Sequence, residues 1–191
     1  MAMNATTPRS SPGLALLLVL CVAWLAPSSS FAQESGEPAK RPPGHAAPEN
    51  PGERAEWIAK QVELVRTGDA AAREAAIKRL AEADRDGDCI NPLIALMREK
   101  ENKKNTALLV AIIRGLGRNG LELAAPAIAD QLTHKQKAVR GNAAVSLEYI
   151  GCRNRKVLAA LRKHVAREKD EAIANHAYRA LGRSGVKDFL A

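Results

Sequence analysis

Lysine and arginine side chains are the main candidates for a binding role in this sequence, and they are concentrated between residues 131 and 169. This segment holds ten Lys or Arg residues against two acidic residues, so its formal charge of +8 equals that of the whole 191-residue chain. On a helix that begins at Asn154, side chains seven residues apart share one face, and basic residues recur at that spacing in two adjacent columns. The pattern predicts a basic binding surface. Its candidate residues are Lys135, Arg140, Arg155, Lys156, Arg162 and Lys163.

This basic surface has two interpretations. It is the solvated face of an amphipathic helix, or it is a patch that binds an acidic protein, a polyanionic glycan or lipid headgroups. Nucleic acid is not expected as a partner, because only 3% of the residues are aromatic and able to stack on bases. We expect another protein, with an acidic surface, and keep polyanion or envelope-surface binding as the alternative.

An acidic stretch, EADRDGD at residues 82–88, places carboxylates at alternate positions before a glycine, as calcium-binding loops do. In an EF-hand register, however, the ninth and twelfth positions fall on Ile90 and Leu93, so the bidentate carboxylate of such loops is missing. The stretch therefore predicts an acidic turn between two helices, with Gly87 as the C-cap of the first, rather than a metal site.

Catalytic and metal-binding patterns are missing from the rest of the sequence. His134, His164 and His176 fall on three different predicted helices, with no carboxylate or thiol at ligand spacing. There is no nucleophile elbow, zinc-protease helix motif or phosphate-binding loop. The sequence thus predicts a non-catalytic protein without a cofactor. The alternative, a lyase-like enzyme, would require a catalytic activity that is lost when a Cys or a His is changed.

The first 32 residues have the features of an export signal. Arg9 precedes an apolar run from Leu14 to Ala26, and the small residues Ser30 and Ala32 stand at positions −3 and −1 of the predicted cleavage site. The apolar run is shorter than the ~20 residues that span a bilayer, so no stable membrane span is expected after cleavage. The export signal predicts that the protein is periplasmic or extracellular. An uncleaved N-terminal anchor is the alternative.

The remaining sequence divides into a linker and a repeat region. Residues 33–52 are rich in Pro, Gly and charge and predict a disordered linker, whereas residues 53–191 show helical periodicity. Gly120, Gly151 and Gly185 mark a repeat at spacings of 31 and 34 residues, with apolar side chains four, eight and twelve residues before each. Each glycine predicts a left-handed cap that ends a leading helix. The aligned segments are LLVAIIRGLGRNG, VRGNAAVSLEYIG and IANHAYRALGRSG, with AREAAIKRLAEAD as a fainter first copy.

A second helix is predicted after each break, so that leading and second helices alternate. The second helices are predicted to begin at Asn91-Pro92, Pro126 and Asn154. Asp69 and Asp170 have the position of N-caps on the first and last leading helices, and a separate helix from Arg54 to Arg66 precedes the repeats. This layout predicts an all-α fold, an α-solenoid of about four antiparallel helix pairs with a leading capping helix. The C-terminal VKDFL covers only part of the last pair, so we expect that edge to self-associate or to bind a partner.

The repeats also resemble a known family. The segment VRGNAAVSLEYIG and the helix that follows it near Lys156 resemble the HEAT repeat, and the ending LG-x-x-G is similar to the HEAT-like repeats of phycobilisome lyases. The resemblance covers roughly Asp69 to Gly185. It implies a scaffold for other proteins, whereas predicted export does not fit the pigment-attaching role of a lyase. In two departures, the first copy ends in EADRDG and Glu148 replaces the usual glycine in the third.

Two cysteines follow the predicted export signal. Cys89 and Cys152 come after breaks in the first and third repeats. Neighbouring helix pairs lie about 10 Å apart, so the two sulfurs would be roughly 20 Å apart, whereas a disulfide needs Cα atoms within about 7 Å. We therefore predict that both cysteines are small buried residues and do not form an internal bridge.

Overall fold

Helices form every regular element of the described residues, 46–83 and 87–185 of a computed structural model, and these residues belong to one compact unit. The α-helices are α1 (Pro51–Thr67), α2 (Ala70–Ala83), α3 (Ile90–Arg98), α4 (Thr106–Asn119), α5 (Ala125–Asp130), α6 (Lys137–Ile150), α7 (Arg155–Val165) and α8 (Glu171–Arg183). The all-α prediction is confirmed for this part of the chain. The predicted export signal, most of the predicted linker, the centre of the acidic stretch and the VKDFL segment lie outside the described residues.

Packing between the helices follows their order in the chain. The leading helices contact one another in succession, α2 with α4, α4 with α6 and α6 with α8, and α1 packs against α2. The second helices of the predicted pairs, which we call trailing helices, are α3, α5 and α7. Of these, α3 contacts α2 and α4, α5 contacts α6, and α7 contacts α8 and α5. Within the described residues, no helix combines the length and the apolar character needed to cross a bilayer.

The predicted apolar columns form the core of this unit. Ile112, Ala143 and Ala177 occupy the same column on three successive leading helices, and each has 0% relative exposure. Ala76 and Leu80, from the fainter first copy, are buried in the same way. Periodicity in the sequence therefore identified the inward face of each leading helix correctly.

The three glycines that mark the repeat adopt the left-handed backbone conformation predicted for them. The φ angle is 76° at Gly120, 62° at Gly151 and 66° at Gly185. The amides of Gly120 and Gly151 donate to the carbonyls of Leu116 and Leu147, four residues earlier in α4 and α6. Because an L side chain adopts this conformation only at a cost, glycine ends the helix and redirects the chain toward the trailing helix.

Aspartate and asparagine side chains start several of the helices, as the sequence predicts. The Asp69 carboxylate accepts a hydrogen bond from the Ala72 amide at 2.8 Å, and that of Asp170 accepts one from the Ile173 amide at 3.2 Å. Asn154 accepts amide hydrogen bonds at the start of α7. Each cap satisfies backbone donors that have no partner within their own helix.

The first helix begins earlier than the sequence pattern indicated. α1 starts at Pro51, three residues before the predicted Arg54 and inside the segment assigned to the linker. The Asn50 side chain accepts a hydrogen bond from the Gly52 amide at 2.9 Å, which makes Asn50 the N-cap. Proline suits the first helical position because its missing N–H has no partner there in any case.

The predicted N-cap of α3 is wrong. Asn91 lies inside the helix, which begins at Ile90 with Cys89 as N-cap. Gly87, at a φ of 98°, directs its carbonyl so that it accepts hydrogen bonds from the amides of Ile90 at 3.0 Å and Asn91 at 2.8 Å. This backbone turn satisfies the first amides of the helix, so no side-chain cap is required.

Two leading helices, α4 and α6, come close together at Gly117 and Ser146. The Ser146 side chain is buried, and its hydroxyl donates to the Ile113 carbonyl of α4 at 3.0 Å. A Cβ atom at Gly117 would lie 2.6 Å from the Ser146 Cβ, well inside van der Waals contact. Gly182 holds the same repeat position on α8, and a Cβ there would have no described atom within 4 Å. The absence of a side chain is therefore a packing requirement at Gly117 and not at Gly182.

This difference predicts opposite effects for one substitution made at two equivalent sites. Gly117→Ala should lower the free energy of unfolding by about 1–3 kcal/mol, because the new methyl group overpacks the contact between α4 and α6. Gly182→Ala should raise it by about 0.5–1 kcal/mol, because alanine restricts the unfolded chain and favours the helix. Urea unfolding monitored by circular dichroism measures both values. Equal destabilisation by the two substitutions would contradict the packing difference.

Candidate functional site

The outer face of α7 carries the predicted basic stripe. Val157, Leu158 and Leu161 are buried against the core, which sets the rotation of the helix. The predicted basic residues on this helix are all exposed: Arg155, Lys156, Arg162 and Lys163. The sequence pattern therefore separated the buried and exposed faces of α7 correctly.

A cleft of about 560 Å³ opens beside the C-terminal half of α7, and we call it the α7 cleft. Residues of α5, the start of α6 and the turn after α7 form its other walls. Its aliphatic lining consists of Ala129, Leu132 and Ala160. Its charged lining consists of Arg140, Lys163, Arg167 and Lys169 with Asp130 and Glu168. The cleft thus combines an aliphatic surface with an excess of positive charge.

The Arg140 side chain holds together the two turns that border the α7 cleft. Its Nε lies 2.6 Å from Glu168 Oε2 and its Nη2 lies 3.1 Å from Glu168 Oε1, so the ion pair is bidentate. Its Nη1 donates to the carbonyls of His134 and Lys135, each at 3.1 Å. The hydrogen bond from Arg140 lowers the pKa of Glu168 to about 2. Arg140, predicted as a residue of the basic binding surface, therefore has an internal role that ties the α5–α6 turn to the α7–α8 turn.

His164 is a buried titratable group next to this ion pair. Its side chain is 5% exposed, and its Nε2 lies 3.6 Å from Glu168 Oε2. Within the described residues, Nε2 has no hydrogen-bond partner. Burial lowers the pKa of His164 below its ordinary value of 6.5, so the imidazole is neutral at neutral pH. His164 consequently adds no charge to the cleft under those conditions.

A second cleft of about 580 Å³ lies between the ends of α3 and α5, and we call it the α3 cleft. Asp130 and Thr133 line both clefts, so a single turn separates them. The basic residues around the α3 cleft are Arg98, Lys103 and Lys135. Basic side chains from α3, from α7 and from the turns that follow α3, α5 and α7 therefore lie along one edge of the fold.

The His134 ring connects two turns beside the α3 cleft. Its Nδ1 accepts a hydrogen bond from the Gln136 amide at 3.1 Å, and its Nε2 lies 3.2 Å from the Lys103 carbonyl oxygen. Because Nδ1 accepts, the proton of the neutral ring is on Nε2, which donates to Lys103. His134 thereby positions the turn that carries Lys103 against the turn that carries Lys135.

The structure groups only part of the predicted binding surface. Lys163 and Arg140 line the α7 cleft and Lys135 lines the α3 cleft. Arg155 and Lys156 lie at the other end of α7, about 10 Å from Lys163 at 1.5 Å per helical residue. The predicted surface missed the lining residues Arg98, Lys103, Arg167 and Lys169. Arg167 and Lys169 belonged to the basic segment, whereas Arg98 and Lys103 precede it by about 30 residues.

The two cysteines are buried, as predicted for small core residues, and neither is part of a disulfide bridge. The Cys152 thiol donates to Glu122 Oε1 at 3.1 Å, and its sulfur accepts a hydrogen bond from the Asn154 amide at 3.2 Å. Burial raises the pKa of Cys152 to about 11. The thiol is therefore protonated at neutral pH and is a poor nucleophile.

A polar cluster between α6 and α8 was not predicted. Glu148 Oε2 lies 2.7 Å from His176 Nδ1, and Glu148 Oε1 lies 3.0 Å from Arg179 Nε. Burial alone would raise the pKa of Glu148, but the hydrogen bonds from His176 and Arg179 lower it overall. In the sequence, Glu148 stands where the repeat usually has a glycine, and His176 has no carboxylate at ligand spacing. The two side chains meet only because α6 and α8 are neighbours in the fold, and local spacing gives no signal of that.

Neither comparison with known proteins nor metal-ligand geometry assigns a function to these clefts. No family model matches the chain, and a search of curated proteins finds no match. In the part of the chain that the structure describes, no group of three His, Cys, Asp or Glu side chains has the geometry to hold a metal ion. The clefts must therefore be interpreted from their own residues.

The Arg140–Glu168 ion pair predicts a specific pH dependence of stability. The pKa of Glu168 in the folded protein is about 2, below its ordinary value of 4.5, so the ionised pair stabilises the fold fully above about pH 4.5. That stabilisation is lost as the pH falls toward 2. Glu168→Gln should therefore lower the free energy of unfolding by about 2 kcal/mol at pH 7, and the difference from wild type should shrink below pH 4.5.

Urea unfolding at pH 7, 5 and 3 checks this prediction, with Glu56→Gln as the matched control. Glu56 is exposed on α1, so its amide variant removes the same charge without breaking the pair. A loss of stability at Glu168→Gln that stayed constant across the three pH values would contradict the assignment of the stabilisation to the ionised carboxylate.

Proposed function

We propose that this protein is an exported, non-catalytic interaction module, a HEAT-like α-solenoid of about four helix pairs with a leading capping helix. Contacts between successive leading helices, burial of equivalent columns and left-handed glycines at equivalent positions support the solenoid. Such a stack gives each helix pair a fixed relation to its neighbours, so side chains far apart in sequence form one rigid surface.

The observation that carries the proposal is the basic edge, the set of exposed Lys and Arg side chains around the α7 and α3 clefts. Within the described residues, Glu168 is engaged by Arg140 and Asp170 by Lys137. No ion pair compensates the side chains of Lys103, Lys135, Lys163, Arg167 or Lys169 in that part of the chain. A surface of this kind attracts a partner of opposite charge and steers its approach. An acidic protein is the partner that the geometry supports best.

Self-association is a second part of the proposal and concerns a different surface. α8 is the last described leading helix, and it contacts α6 and α7. A solenoid end needs a polar surface or a further element to cover it. Tyr178 on α8 is 57% exposed, which adds apolar area at this end. We propose that a second copy of the chain covers it, and sedimentation velocity across a concentration series measures this association directly.

Photo-crosslinking in the native cells tests the acidic-protein proposal. A photo-crosslinking residue replaces Lys135 or Lys163 on the basic edge, and Lys78 on the exposed face of α2 serves as the control position. The edge positions should capture an acidic protein that Lys78 does not. Capture of the same proteins from all three positions, or of lipid and polysaccharide alone, would contradict the proposal.

Matched charge reversals then separate a local contact from a general charge effect. Lys135→Glu combined with Lys163→Glu should abolish the captured complex, because both changes place carboxylates on the edge that the partner approaches. Lys60→Glu combined with Lys78→Glu changes the net charge by the same amount on exposed parts of α1 and α2. The control pair should leave the complex intact, and raising the ionic strength should weaken it. Equal loss with both pairs would indicate non-specific polyanion binding.

A further inference from the structure

We propose that the α7 cleft and the α3 cleft form one continuous seat for an extended acidic peptide segment that carries aliphatic side chains. The proposal rests on the proposed function and names the chemistry of the partner at the basic edge. The two clefts have volumes of about 560 and 580 Å³ and are separated by the single turn that contains Asp130 and Thr133. Each is large enough for several residues of an extended chain, since clefts for small ligands span about 300–1,000 Å³.

The charges along this seat are arranged in two groups. Arg98, Lys103 and Lys135 surround the α3 cleft. Lys163, Arg167 and Lys169 surround the α7 cleft. Asp130 stands between the two groups and lines both clefts. The matching occupant therefore has two clusters of carboxylates and an uncharged stretch between them, because a carboxylate opposite Asp130 would be repelled.

The uncharged lining decides between a peptide and a glycan. Ala129, Leu132 and Ala160 give the α7 cleft an aliphatic surface. Among the residues described there, no Phe, Tyr or Trp side chain lines either cleft. Sugar rings are commonly held against flat aromatic surfaces, whereas a leucine or valine side chain buries its apolar area on aliphatic neighbours. The lining consequently favours a peptide with aliphatic residues between its acidic clusters.

Internal contacts hold the seat in position before any ligand binds. The His134 ring links the turn after α3 to the turn after α5 through the Lys103 carbonyl. Arg140 links the turn after α5 to the turn after α7. It donates to the His134 and Lys135 carbonyls of the first turn and to the Glu168 carboxylate of the second. Three turns from three repeats are thus connected in one chain of hydrogen bonds. A preformed seat loses less conformational entropy on binding, which favours recognition of an extended segment.

Fluorescence anisotropy with the purified protein and a labelled peptide of sequence EEELSLEEE tests the proposal. Lys103→Glu and Lys163→Glu, one change in each cleft, should each weaken binding about tenfold. Lys78→Glu, the matched reversal on α2, should change it by less than about twofold. Ala160→Gln, which fills the aliphatic lining without changing the charge, should also weaken binding. Circular dichroism of each variant verifies that the fold is retained.

Two further probes decide whether one peptide occupies both clefts. The half-length peptide EEELS should bind much more weakly than the full peptide, because a linked second cluster binds at high effective concentration. The peptide EEESSSEEE, which keeps the charge and loses the aliphatic side chains, should bind more weakly as well. Equal affinity for all three peptides, or tighter binding of a heparin-derived oligosaccharide that is insensitive to Ala160→Gln, would overturn the peptide seat. If these peptide results were not obtained but position 163 still crosslinked to an acidic protein, this inference alone would be wrong. The proposed function would then still stand.

Discussion

The close packing of successive leading helices is the constraint on which the rest of this structure depends. At Gly117 the backbone of α4 lies so near Ser146 of α6 that no side chain fits between them. The column of Ile112, Ala143 and Ala177 is fully buried in the packing of these helices. Because the distance between leading helices sets the distance between the turns at their ends, this packing also decides how close the basic residues of successive repeats can come.

The sequence was sufficient to predict the inward face of each leading helix and the glycine that follows α4, α6 and α8, since both depend on local chemistry. Apolar periodicity identifies the buried column, and a glycine at the left-handed position marks the helix end. Side-chain caps such as Asp170 can also be recognised locally. The start of α3 could not be found in this way, because the group that satisfies its first amides is the backbone carbonyl of Gly87. A carbonyl is present in every residue and leaves no signal in the sequence.

The basic edge was only partly predictable for a different reason. The sequence showed an excess of positive charge, but pairing between repeats decides which charges remain available. Arg140 and Glu168 are 28 residues apart and meet only because α6 and the turn after α7 are neighbours in the fold. Lys103 joins the edge from an earlier repeat through the His134 ring. The composition predicts that the surface is positively charged, and tertiary packing decides which residues belong to it.

Helix dipoles explain the positions of some of the positive charges on the basic edge without any binding partner. Cations near the C-terminus of a helix are stabilised by about 0.3–1 kcal/mol, and α3 and α7 both have basic residues in their last turns. That effect does not require the turns beyond the helices to be held together. The bidentate Arg140–Glu168 pair is largely buried, and burying a charged pair costs desolvation energy that must be offset by accurate geometry. A contact that restrains the turns beside two basic clefts therefore holds the charges of this edge in a fixed arrangement, which the helix dipoles alone would not do.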